Sequence, residues 1–197
     1  MLKYLLVIKM IYLIMGGPAT GKGTRSDFLS EAINIPHIST GDLLREKSKT
    51  DESMAEKLSK GELISDEIIT SLLEERITKP DCEKGFILDG YPRTLNQVYL
   101  LNELLEKLNR SITKVIELTA PDELVFKRIL ERKKCVDCGK MYGIDFPPKT
   151  ADVCDDCGGK LEVRADDTKE TLKKRIDTYK ENSREILEYY KEKGLLK

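Results

Sequence analysis

A parallel β-sheet covered by helices on both faces is the fold class this sequence predicts, and two observations carry it. Short apolar runs at residues 11–15, 86–88 and 115–118 are each followed by a turn signal and then a helical pattern, the repetition expected of βα units. These runs are nearly continuous in apolar residues, as in strands buried on both faces. The segments between them supply the covering layer. Leu95, Val98, Leu101, Leu105 and Leu108 recur at helical spacing, and so do Leu172, Ile176, Tyr179, Ile186 and Tyr190, so each segment carries one apolar stripe to lay on the sheet.

Two stretches break the alternation. Residues 39–68 are polar and helical without a strand, and residues 135–163 are rich in Cys, Gly, Pro and Asp. Both read as insertions into one α/β core formed by residues 1–38, 69–134 and 164–197, an organisation that suits a chain of 197 residues. Lys and Arg number 34 against 35 Asp and Glu, a formal net charge of −1, so no global field draws the chain to nucleic acid or to anionic lipid. Lys3 and Lys9 break the apolar opening segment into runs too short for a membrane span, and no small-residue cleavage site follows.

The chemistry begins at Gly16-Gly17-Pro18-Ala19-Thr20-Gly21-Lys22-Gly23-Thr24, between the first strand and a helix. A glycine-rich turn there points backbone N–H groups and the positive end of a helix at phosphate oxygens, and Lys22 bridges the outer phosphates. Thr24 stands one place later than the hydroxyl of the usual G-x-x-x-x-G-K-[ST] pattern, which suits phosphate contact better than direct magnesium ligation. No G-x-G-x-x-G can be laid on these glycines, which excludes the dinucleotide fingerprint.

A second constellation is Cys135-x-x-Cys138 and, fifteen residues on, Cys154-x-x-Cys157, with Gly139 and Gly158 after the second cysteine of each pair. Four thiolates make a closed tetrahedral site that selects Zn²⁺ and leaves no open catalytic position. An iron–sulfur cluster or a redox dithiol is the alternative. Metal-binding thiols imply a reducing compartment, hence a cytoplasmic location. Cys82 reads as an ordinary thiol.

G-x-P-x-x-G-K-G-T resembles the phosphate loop of adenylate kinases and their relatives, and further matches follow in order. Ile35-Pro36-His37-Ile38-Ser39-Thr40-Gly41-Asp42-Leu43-Leu44-Arg45 resembles the start of that family's monophosphate-binding insertion. Gly85-Phe86-Ile87-Leu88-Asp89-Gly90-Tyr91-Pro92-Arg93, with Gln97 beyond, resembles the strand and loop that hold the acceptor nucleotide. Arg128, Arg132, the run Arg164-Ala165-Asp166-Asp167, and Arg175 resemble its phosphate-surrounding arginines. The resemblance implies a P-loop NTPase-like fold and reversible phosphoryl transfer from ATP to AMP giving ADP, with Mg²⁺.

By the same resemblance, Lys22, Arg93, Arg132, Arg164 and Arg175 are the catalytic set. ATP would meet Gly16, Ala19, Thr20, Gly21, Lys22, Gly23 and Thr24, with Arg128 against its adenine, Arg132 nearby, and Met141 and Tyr142 on the ATP-facing side of a zinc-bearing lid. AMP would meet Thr40, Arg45, Glu62, Leu63, Ile64, Gly90, Arg93, Gln97, Arg164 and Arg175. Asp42 and Asp89 would orient magnesium through its waters. Thr40 and Gln97 favour AMP over UMP or CMP, since an amide both donates to and accepts from adenine. His37 reads as structural. A monomer is expected.

Other readings are a UMP/CMP or GTP:AMP kinase and a zinc-ribbon P-loop ATPase that binds nucleic acid. Against the last, residues 135–163 hold Asp137, Asp145, Asp152, Asp155, Asp156 and Glu162 against Lys140, Lys149 and Lys160, an acidic module. The chain departs from the family pattern in a stretch after Arg45 that looks about four residues shorter, in Ala19 where glycine is common, and at both ends. Residues 1–9 precede the usual start at Met10, and the chain stops at Lys197 where relatives add a strand and a helix. The reading is an upstream-start artefact with a truncated C-terminus; the alternative is a strand near residues 4–8 that replaces missing sheet.

Overall fold

The computed structural model describes residues 9–60, 62, 64–164 and 167–197. The expectations for Leu63, for Ala165 and Asp166, and for a strand near residues 4–8 lie outside the described residues. In chain order the elements are β1 (Met10–Met15), α1 (Lys22–Ile33), β2 (His37–Ser39), α2 (Thr40–Ser48), α3 (Glu52–Ser59), α4 (Asp66–Ile77), β3 (Gly85–Asp89), α5 (Leu95–Lys107), β4 (Lys114–Glu117), α6 (Asp122–Glu131), β5 (Lys133–Cys135), β6 (Met141–Tyr142), β7 (Leu161–Glu162) and α7 (Lys169–Glu192).

The main sheet runs β2-β3-β1-β4, parallel at every pairing. Ile11, Leu13, Phe86, Ile87, Leu88 and Val115 have no solvent exposure. Helices cover both faces, which is why these strands read as continuous apolar runs. α5 buries Val98, Leu101, Leu104 and Leu105, and α7 buries Leu172, Ile186 and Tyr190, as their stripes require. Because every strand of this sheet is parallel, the loops after β1, β2 and β3 emerge at one carboxyl edge, where open α/β sheets place their ligands.

Ser39 ends β2 and caps α2 by accepting from the Asp42 amide. Around the four cysteines lies a three-stranded antiparallel sheet, β6-β5-β7, whose strand β5 begins at Lys133 and pairs that residue with Tyr142.

After α7 the chain turns at Gly194, and its last residues lie beside β4. The Val115 amide donates to the Leu195 carbonyl at 3.0 Å, Lys197 N–H donates to the Val115 carbonyl at 2.9 Å, and the Glu117 amide donates to the Lys197 carbonyl at 3.1 Å. Leu196 thus bridges Val115 in the parallel sense. Among the described residues, no helix is long and apolar enough to cross a membrane.

Candidate active site and metal centre

β1 ends at Met15 and α1 begins at Lys22, so the intervening loop must reverse in six residues while presenting its amides. Gly16 has φ 145°, and a Cβ there would sit 2.3 Å from the Leu118 carbonyl oxygen, so no side chain fits. Gly21 caps α1 at φ 94°. Ala19 adopts φ 53°, left-handed and strained for a residue with a Cβ. The Lys22 ammonium folds back over the loop to the Gly17 carbonyl at 2.6 Å, and Thr20 Oγ1 donates to the same oxygen at 2.9 Å. Burial lowers the Lys22 amine to about 8; Asp89 opposes the shift, while Arg93, Arg175 and Arg132 reinforce it. Cations gathered around a buried ammonium describe a site built for a polyanion.

The acceptor side lies between the helical insertion and β3. A cavity there is lined by Thr40, Arg45, Glu62, Ile64, Gly90, Arg93, Gln97 and Arg175. Of the ten residues expected to meet AMP, Leu63 is outside the described residues, and among the other nine only Arg164 is not on this wall. Gly41, Leu44, Leu58, Ile69 and Tyr91 complete it; of these, Gly41, Leu44 and Tyr91 stand in the matched runs without an assigned role. The Gln97 carboxamide accepts from the Arg93 amide at 2.7 Å and donates to Asp66 Oδ1 at 2.7 Å, which fixes its orientation and leaves one N–H and one lone pair. Sequence reasoning missed Asp66, which at a helix start reads as an ordinary N-terminal carboxylate.

A second cavity runs beneath the phosphate loop past Gly16, Pro18 and Lys22 to Tyr179. The two cavities share Gly90, Tyr91, Arg93 and Arg175. Arg93 Nε donates to the Gly90 carbonyl at 2.7 Å, which sets its guanidinium at this junction. Arg132 forks onto Asp167 through Nε at 2.7 Å and Nη2 at 2.5 Å, and Arg175 Nη1 lies 3.5 Å from the same carboxylate. Asp167, whose side chain has no solvent exposure, is therefore the positioning residue for two of the expected catalytic arginines. The sequence showed it only as the end of a matched run, without a role. Arg164 is 13% exposed; burial and the nearby Arg45 and Arg132 pull it down to about 10 against Asp42 and Asp167, and its Nε is buried without a hydrogen-bond partner.

The two carboxylates expected near magnesium differ. Asp89, at the end of β3, is buried; desolvation works against its charge, but His37, Lys22 and Arg93 hold its pKa below the usual value. Gly23 faces it, for a Cβ there would lie 3.9 Å from Asp89 Oδ2. Asp42 instead meets Arg45 Nη2 at 2.8 Å, Lys134 Nζ at 2.9 Å and Arg164 at 3.8 Å. His37 Nδ1 is 2.7 Å from Asp27 and its Nε2 3.7 Å from Asp89. Burial alone would lower its pKa, yet the contacts with Asp27 and Asp89 win and raise it to about 9. The ring lies between the two carboxylates, with Nδ1 alone in hydrogen-bond reach of one of them.

Arg128 reaches back over the phosphate loop, donating to the Ala19 carbonyl at 3.4 Å and to Asp145 of the lid at 2.7 Å. Met141 Sδ contacts Arg164 Nη2 at 3.1 Å. Tyr142 is 6% exposed and packs among Cys135, Cys154 and Leu161 inside the lid, so its ring faces the cysteines. The four cysteine sulfurs lie within 4.8 Å of one another. Zn–S bonds of about 2.3 Å set tetrahedral sulfurs roughly 3.8 Å apart; Cys135–Cys157 at 3.4 Å and Cys138–Cys154 at 3.5 Å lie a little inside that spacing, so small side-chain shifts fit the cluster to zinc. Gly139 and Gly158, at φ 79° and 75°, donate to the Cys135 and Cys154 carbonyls at 3.1 and 2.9 Å, closing two matching knuckles.

Comparison with known proteins now decides the family. Residues 14–195 match the family described as adenylate kinase. This chain belongs to the adenylate kinase family. Curated adenylate kinases similar to it include that of Archaeoglobus fulgidus, 46% identical over 167 residues that cover 82% of this chain and 77% of the relative. That of Thermotoga neapolitana is 42% identical over 195 residues, covering 95% of this chain and 89% of the relative. Adenylate kinase family membership makes the chain a nucleotide-binding phosphotransferase that uses Mg²⁺ with ATP.

Proposed function

We propose that this chain catalyses ATP + AMP = 2 ADP, with ATP on the phosphate loop, AMP in the cavity beside the helical insertion, and a structural zinc in the lid. The observation that carries the reading is the junction of the two cavities at Gly90, Arg93 and Arg175. An AMP phosphate oxygen there attacks the γ-phosphorus in line as the bond to the β–γ bridging oxygen breaks, and ADP leaves with that electron pair. The transfer needs placement, charge neutralisation and exclusion of water, and no protein base. Lys22, Arg132, Arg164 and Arg175 neutralise the transferring group, while Arg45 and Arg93 hold the AMP phosphate. Thr40 and the remaining donor and acceptor of Gln97 read adenine. Mg²⁺ bound with ATP would supply Lewis-acid stabilisation of the phosphate charge; Asp89, facing the loop, and Asp42 would orient its water shell.

The zinc reading rests on four thiols with compatible spacing and on an acidic module unsuited to nucleic acid. A cytoplasmic monomer completes the reading. ADP formation from ATP and AMP without nucleic acid, with strong preference for AMP over UMP, is the expected result. Comparable kcat/KM for both acceptors would move the chain to a broader monophosphate kinase. One zinc per chain is expected by metal analysis, with Cys154→Ser losing the metal and lowering Tm; iron with visible absorbance would overturn the zinc.

A further inference from the structure

We infer that Tyr142 is a hydrogen-bond donor to the lid's metal centre, a positioning residue that acts through Cys154 and joins the two cysteine knuckles. The inference rests on the zinc reading above. Tyr142 sits on β6, just after the knuckle that carries Cys135 and Cys138, yet its hydroxyl reaches the other knuckle, 3.3 Å from Cys154 Sγ. The Asp155 amide donates to that hydroxyl at 2.8 Å. This second contact fixes the direction of the first. A backbone N–H can only donate, so it occupies a lone pair of the phenolic oxygen and leaves the hydroxyl proton to point elsewhere. The acceptor within reach is Cys154 sulfur, which must be a thiolate to bind zinc.

The arrangement is enclosed. The Tyr142 ring is buried among Cys135, Cys154 and Leu161, with the Lys140 ammonium 5.9 Å from the ring centroid. The hydroxyl therefore meets protein rather than water, and its loss would leave the Asp155 amide unpaired as well as removing a donor from the thiolate. Phenylalanine would fill the same space without the hydroxyl, so packing alone does not require tyrosine. Outer-sphere donors of this kind orient a ligand and stabilise its charge, and their loss costs roughly 10–100-fold in metal affinity.

The test uses the full chain and Tyr142→Phe, each loaded with Zn²⁺ and, separately, with Co²⁺. The expected result is a zinc affinity about 10–100-fold weaker in the variant by chelator competition, faster release to the chelator, and a shifted thiolate-to-cobalt charge-transfer band. The shifted band is a signature that a packing role would not produce. The Tm of the metal-free chain, dominated by the α/β core, should be the same in both. Equal affinity with superimposable cobalt spectra would overturn the inference while leaving the zinc site standing. A metal-free Tm that falls as far as the loaded one would assign Tyr142 to packing and overturn it too. Failure of the unaltered chain to bind zinc would remove the metal reading and this inference with it.

Discussion

Lys134 Nζ lies 2.9 Å from Asp42 Oδ1, an ion pair that ties the first strand of the lid to the first helix of the insertion. The two residues are 92 positions apart, and each belongs to a segment that interrupts the core. Their contact bridges the lid and the insertion, while the Arg128–Asp145 pair and the Phe28–Phe146 rings at 5.9 Å join the lid to α6 and α1. Both partners are partly exposed, so the pair contributes about 0.5–1 kcal/mol, roughly a two- to fivefold bias toward the closed form. Lys134→Met should lower the closed fraction of the nucleotide-free protein by that factor in fluorescence transfer between lid and insertion. Added salt should do the same to the unaltered chain and little to the variant. Identical transfer and salt response would dismiss the latch.

Lys22→Met and Arg93→Ala should each keep the fold and lose at least ~100-fold in turnover, because each removes charge from the shared junction of the two cavities. Circular dichroism and steady-state rates check this together. Near-normal turnover in either variant would refute the proposed reaction centre.

Ala19, at φ 53°, carries left-handed strain of ~1 kcal/mol, and its methyl packs at the edge of the cluster of Val125, Ile129 and Leu172. Ala19→Gly relieves the strain and forfeits part of a methyl's burial, for a net gain of about 0.5 kcal/mol. Ala19→Val, β-branched at the same φ, should lose ~1 kcal/mol or more. Denaturant unfolding that ranks Val above Gly would show the loop to be unstrained.

His37 gives a pH dependence with a definite sign. Its folded pKa of about 9 lies above the ordinary 6.5, so its protonation stabilises the native state. The contribution is complete below about pH 6.5 and is lost as pH rises through about 9. The stability gap between the unaltered chain and His37→Gln should therefore shrink by about 2–3 kcal/mol from pH 6 to pH 9.5. A gap that is constant, or that widens with pH, would contradict a charged imidazole between Asp27 and Asp89.

The sequence alone determined the βα core, the phosphate loop and the two knuckles, because each depends on local order: continuous apolar runs, glycines where side chains clash, and cysteines with two residues between them. It also named most of the wall beside the insertion, since Thr40, Arg45, Arg93 and Gln97 sit in short matched runs. Only the tertiary structure decided what those side chains face. Asp167 binds two arginines, Asp66 orients Gln97, and Asp42 is drawn to Lys134. Tyr142 turns inward to Cys154, and Leu195–Lys197 extend the sheet. These are contacts between segments distant in sequence, set by how charged groups pair once the helices have packed. No periodicity or spacing along one chain encodes which carboxylate meets which cation.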